Sequence, residues 1–91
     1  MSEAVSDNSA RHRFELIEQG QTAFATYRFD GDRVVILHVE TPVPLRGQGV
    51  AGRLMTGALE LIRARGQRVT PLCPYAVAFL ERHPEYSDLV S

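Results

Sequence analysis

The sequence predicts a mixed α+β fold: a three-strand antiparallel meander, then a strand–helix–strand crossover and a second helix, all built on one mixed sheet. Three observations carry this expectation. Apolar residues alternate with polar ones from Arg13 to Gln19 and again from Thr22 to Phe29, with Gly20-Gln21 between them, and a run rich in Val and Ile follows the Asp30-Gly31-Asp32 turn. Such segments joined by short Gly-containing turns read as hairpins. The stretch after Arg46 changes period, with apolar side chains at Val50, Leu54, Ala58 and Leu61 flanked by Ala51, Met55, Leu59 and Ile62, which is helical spacing. A short β-branched segment around Val69-Thr70 comes next, and a strand–helix–strand unit within one sheet closes as a right-handed crossover with a parallel strand pair.

Taken in order, residues 1–11 are mostly small and polar and read as a disordered tail, leaving 12–91 as one folded domain. The third strand, about Arg33–Glu40, is expected at the centre of the sheet because Val34 to Leu37 offers apolar residues to both faces. Pro42 and Pro44 end it, since neither can donate to a ladder. The long helix stops at Gly66, a natural residue just past a helix end. Pro71 limits the fourth strand, and Pro74 sits in the first turn of the second helix, where a missing N–H is tolerated. Residues 84–91 add at most one further turn.

Composition excludes much. Ninety-one residues, 44% hydrophobic and 23% charged, make one small core, because a chain this short buries only roughly 60% of the surface it exposes when unfolded. The net charge of −1 and pI near 6.3 argue against a nucleic-acid-coating or membrane-surface protein. All ten basic residues are Arg, so no single Arg is read as a chosen phosphate ligand from its type alone. One cysteine, Cys73, forms no internal disulfide, and three scattered His give no metal-ligand spacing. No apolar run approaches the ~20 residues of a membrane span. The opening residues lack the basic-then-apolar order of a signal peptide, so the expected compartment is the cytoplasm.

The most informative segment is Arg46-Gly47-Gln48-Gly49-Val50-Ala51-Gly52, between the third strand and the long helix. A glycine-rich turn opening a helix presents unpaired backbone N–H groups at the positive end of the dipole, a place for a phosphate. Gly47, Gly49 and Gly52 match G-x-G-x-x-G, the dinucleotide fingerprint, but the context does not. That fold needs the first glycine at the strand end and an acidic residue about twenty residues on. Here Thr41 to Arg46 intervene, and Val69-Thr70-Pro71-Leu72 carries no acid.

The same loop fits R/Q-x-x-G-x-G/A through Arg46, Gly49 and Ala51. Around it stand His38-Val39-Glu40-Thr41-Pro42-Val43-Pro44 before and Cys73-Pro74-Tyr75, then His83-Pro84-Glu85-Tyr86, after. In these motifs the chain resembles the GNAT superfamily of acetyl-CoA-dependent acetyltransferases, closest to its very short single-domain N-acetyltransferase-like members, over about residues 13–87. The resemblance implies a GNAT-like mixed sheet and acetyl-CoA or CoA as cofactor. Arg46, Gly47, Gln48, Gly49, Val50 and Ala51 would bind the pyrophosphate through loop amides. Val39, Glu40 and Thr41 at the strand end would pair with pantetheine, where the third and fourth strands splay. Arg53 and Tyr75 would reach the cofactor from the two helices.

Moving an acetyl group to an amine requires a base for the amine, polarisation of the thioester and an acid for the departing thiolate. His38 and Glu40 share one strand face, so either is a candidate base. The superfamily often has an Asn at the position of Cys73 and a Tyr acid seven residues later; here these read Cys73 and Leu80, which leaves the acid open, with Tyr75 as a substitute. Cys73 either lines the site or accepts the acetyl group itself in a two-step route, at a helix N-terminus that favours negative charge. Arg63 and Arg65 read as a solvated helix face, His83-Pro84 as a helix stop and Tyr86 as a core anchor with its hydroxyl at the surface. The expected partner is an amine acceptor, on a protein or a small molecule, with no nucleic acid and no membrane, and the chain is expected as a monomer or weak homodimer. Two rival functions remain: a CoA-binding module with little turnover, and an interaction domain without ligand.

Overall fold

In a computed structural model, which describes residues 4–91, five strands form one sheet in the order β1-β2-β3-β4-β5. They are β1 (Ser6–Asn8), β2 (Arg13–Glu18), β3 (Gln21–Asp30), β4 (Arg33–Glu40) and β5 (Arg68–Pro71). The first four run antiparallel in sequence, and β5 joins β4 in parallel. The crossover between β4 and β5 carries α1 (Val50–Ala64); α2 (Pro74–Arg82) and a 3-10 segment (Pro84–Leu89) complete the chain. The mixed α+β architecture is therefore the one the sequence predicts, with the meander as β2–β4. Among the described residues no helix is long and apolar enough to cross a membrane.

The β2–β3 hairpin closes through Gln19 and Gly20, both with positive φ (53° and 73°), the two-residue geometry whose twist matches the flanking strands. Phe14, Leu16, Ala23, Ala25, Tyr27, Val34 and Ile36 point to one face, where α1 lays Val50, Leu54, Met55, Ala58, Leu59 and Ile62. Ala76, Phe79 and Leu80 of α2, with Tyr86 and Leu89, extend that single core. On the opposite face the side chains are half-buried or exposed apart from Val35.

Two expectations need correction. The polar segment before Arg13 is not all tail. Met1 to Glu3 lie outside the described residues, but β1 pairs with β2, Ser6 opposite Glu15 and Asn8 opposite Arg13. Asp7 anchors it: the buried Tyr27 hydroxyl donates to one carboxylate oxygen (2.6 Å) and Arg65 to the other (2.7 Å). The two helix arginines read as solvated are thus both ion-paired, since Arg63 meets Asp88 at 2.7 Å. Second, β4 is interior but not apolar on both faces to Leu37, which is exposed. Thr26 pairs with His38 and Tyr27 with Ile36, so Leu37 is an extra residue in β4, a bulge. Simple alternation would place His38 and Glu40 on the core face with Val34 and Ile36. The bulge reverses that, putting Val39 against the core and His38 and Glu40 on the open face.

Candidate active site

Pairing between β4 and β5 ends at Ile36 opposite Pro71, while β4 continues to Glu40. The Ile36 carbonyl accepts from two amides, Leu72 N–H at 2.9 Å and Cys73 N–H at 3.3 Å, as the chain turns away into α2. The last residues of β4 thus have β3 on one side and no strand on the other. A cleft of about 430 Å³ opens there, lined by Val39, Glu40 and Thr41 of the strand end, Arg46, Gly47, Gly49, Val50 and Ala51 of the loop and helix start, and Tyr75 of α2. Leu45 and Gly52 complete it.

The loop between them follows from its glycines. Gly47 and Gly49 have φ of 78° and 76°, a region in which a side chain is strained. Gly49 is the N-cap of α1, and no side chain caps that helix, so its first amides are free to meet an anion. Gln48 holds the loop from outside the cleft, with its amide donating to the Pro44 carbonyl at 2.9 Å. Arg53 braces it as well, reaching the Gln48 carbonyl (3.0 Å) and Glu18 (2.6 Å). It borders a second hollow, about 510 Å³, which shares Gly49 and Gly52 with the first and ends at Phe79 and His83.

Glu40 is the best-placed acidic group. One carboxylate oxygen meets His38 Nε2 at 2.8 Å and the other the Arg46 guanidinium at 3.7 Å; Arg46 Nε also donates to the Thr41 carbonyl at 3.0 Å. Tyr75 lies against α1: a Cβ built on Gly52 would sit 3.9 Å from its hydroxyl. Partial burial pushes the Tyr75 phenol above its ordinary value of 10, opposed by the Arg82 charge, so it keeps its proton at neutral pH. Cys73 is buried at the N-cap of α2.

Of the residues singled out in the sequence, nine border the one cleft: Val39, Glu40, Thr41, Arg46, Gly47, Gly49, Val50, Ala51 and Tyr75. Gln48, Arg53, His38 and Cys73 do not border it; His38 reaches it through Glu40. Gly52, which the sequence marked as a glycine of the loop motif without giving it a site role, borders the cleft as well. Leu45 was missed, since nothing marked it, and it is fully buried beneath the loop.

The family profile of the GCN5-related N-acetyl-transferases matches residues 13–89, nearly all of the described chain. The chain belongs to the GCN5-related N-acetyltransferases. Among solved structures it is similar to the NMR solution structure of a GCN5-like N-acetyltransferase candidate from Staphylococcus aureus, 26% identical, with a TM-score of 0.75, covering 100% of this chain and 91% of that one. A search of curated proteins returned no match. The family places acetyltransferase chemistry on a sheet of this shape, and its members generally use acetyl-CoA.

Proposed function

We propose that this chain is an acetyl-CoA-dependent N-acetyltransferase, and that the cleft between the free end of β4 and the start of α1 is its cofactor site. The observation that carries the reading is the juxtaposition itself. An uncapped helix start, reached through two left-handed glycines, faces an unpaired strand end across one cleft. The first feature suits a diphosphate and the second an extended amide-bearing arm. The amides from Gly47 to Ala51 would hold the diphosphate, and the backbone of Val39 to Thr41 the pantetheine. The neighbouring hollow, which shares Gly49 and Gly52 with the cleft, would take the nucleotide end.

Acetyl-CoA supplies an acetyl group activated as a thioester. In the transfer, the amine nitrogen–carbon bond forms as the carbon–sulfur bond breaks. Glu40, backed by His38, takes the proton released by the amine, directly or through a water. Tyr75, which keeps its proton and borders the same cleft, gives one to the departing sulfur. Leu80 cannot serve as that acid. The alternative two-step route, with the acetyl group resting on Cys73, depends on the thiol being reached from the cleft.

A thermal shift with acetyl-CoA, CoA and NAD, wild type beside Gly49→Glu, tests the assignment. Stabilisation by the two CoA species alone, lost in the variant, is the expected result. No shift with any ligand would refute it. Binding without acetylation of any amine offered would make the chain a CoA-binding module instead. Mass spectrometry of the acetyl-CoA sample shows whether Cys73 carries an acetyl group.

A further inference from the structure

Five of the ten arginines, Arg13, Arg46, Arg53, Arg63 and Arg65, each meet a carboxylate. Of the rest, Arg28, Arg33 and Arg68 gather in one place. Tyr27, Val34 and Val69 belong to the core, so strand alternation puts these three arginines on the open face, on β3, β4 and β5. All are exposed, and among the described residues none forms a salt bridge. Arg33 stands directly opposite Arg68, an in-register pairing of like charges that disfavours the strand pair. Arg28 is opposite Val35, and so diagonal to Arg33. Asp30, opposite Arg33, shares this end of the face without pairing with any of the three. Arg68 reaches only a backbone carbonyl, that of Asp88, at 3.3 Å.

The arginines stand at the far end of the open face from the proposed chemistry. Phe24 is opposite Glu40 and Asp30 opposite Arg33, so six residues of β3, about 20 Å, separate the two ends. Between them β3 and β4 offer Thr26, Val35 and the exposed Leu37, none of them charged. We infer that the amine acceptor is a peptide segment laid along this face. Its amine lies at the Glu40 end, and acidic side chains about six residues away lie on Arg28, Arg33 and Arg68. The spacing fits. Diagonal neighbours such as Arg28 and Arg33 are rooted about 7–8 Å apart, and side chains two positions apart on an extended peptide about 7 Å. A nucleic acid fits less well. Its continuous phosphates would also meet Asp30 and Asp32, and no aromatic ring stands among the arginines to stack a base. A net charge of −1 adds no long-range pull on a polyanion.

This inference rests on the N-acetyltransferase reading, and the test separates the two. Acetylation by the full chain with acetyl-CoA is followed on short synthetic peptides. Each has one primary amine, at the N-terminus or on a lysine, and carries Glu, Gln or Arg about six and eight residues from it. Wild type is expected to show a KM roughly 2- to 20-fold lower for the Glu peptide than for the Gln peptide, the combined effect of two exposed ion pairs. Added salt should shrink that advantage. Arg28→Gln with Arg33→Gln should erase it and leave CoA affinity unchanged, while Arg28→Glu with Arg33→Glu should pass it to the Arg peptide. Neither side chain has a salt bridge to lose, and circular dichroism checks the fold of both variants. Equal KM for the Glu and Gln peptides overturns the inference, as does an advantage that survives in both variants. Fluorescence anisotropy showing tighter binding of a single-stranded RNA than of the Glu peptide makes the patch a nucleic-acid site and overturns it too. Acetylation of all peptides alike leaves the acetyltransferase reading standing alone; acetylation of no peptide and no small amine removes both.

Discussion

Asp7→Ala should destabilise this protein more than any other alanine substitution at a polar residue among residues 4–11. Its carboxylate is one-tenth exposed and accepts from the Tyr27 hydroxyl at 2.6 Å and from Arg65 at 2.7 Å. Truncation leaves a phenol, on a residue only 2% exposed, with no acceptor. A hydrogen bond to a charged group contributes roughly 1.5–3 kcal/mol, and the half-exposed Arg65 pair adds about 0.2–1 kcal/mol. The sum is about 2–4 kcal/mol, which in a chain of this length lowers Tm by roughly 8–30 °C. Urea unfolding followed by far-UV circular dichroism measures it. Tyr27→Phe should cost less, about 1 kcal/mol, because it removes donor and demand together, and the double variant should fall short of the sum. A loss under about 0.5 kcal/mol for Asp7→Ala would refute the reasoning, and would mean that β1 contributes nothing to the folded state.

Stability should also fall in alkali. Burial first, and a carboxylate acceptor second, push Tyr27 up to about 12; Tyr86, whose hydroxyl donates to Glu60, is likewise pushed up to about 12. Unfolded tyrosine loses its proton near 10, so between pH 10 and 12 the folded state binds more protons and ΔG of unfolding drops as pH rises. That stabilisation is complete below pH 10, and an unchanged urea midpoint between pH 9.5 and 11.5 would contradict it. Gly49→Ala places a side chain at φ 76° and should cost about 1–2 kcal/mol by the same urea assay, while the 3.3 Å approach to Arg53 is relieved by that flexible side chain; a neutral result would mean the loop refolds around it. Tyr75→Phe should lower acetyl transfer by about 100-fold and leave CoA binding nearly unchanged, and transfer at the wild-type rate would remove Tyr75 from the acid's role.

The parts of this fold legible in the sequence are those fixed by neighbours along the chain. The apolar spacing from Val50 to Ile62 names α1 because a helix repeats every few residues, and the glycines after Arg46 name the loop because its backbone geometry excludes side chains. The cleft follows from these two together with the prolines that stop β4. β1 was not legible, since Ser6-Asp7-Asn8 has no strand propensity of its own. Partners 20 and 58 residues away, Tyr27 and Arg65, hold it, and no local window contains them.

The bulge at Leu37 is the deeper case. Nothing within Arg33–Glu40 marks it, because the extra residue is decided by how β4 registers on β3 and not by β4 alone. Yet it settles where the chemistry stands. A strand in strict alternation from Val34 and Ile36 would drive His38 and Glu40 into the core beneath α1 and turn Val39 to solvent, burying a carboxylate at a cost no neighbour there offsets. One added residue returns Val39 to the core and leaves the His38–Glu40 pair on the open face, beside the cleft and within reach of Arg46. Sequence alone put His38 and Glu40 on a common face; which face, and so whether they are structural or available to a substrate, was a property of the sheet.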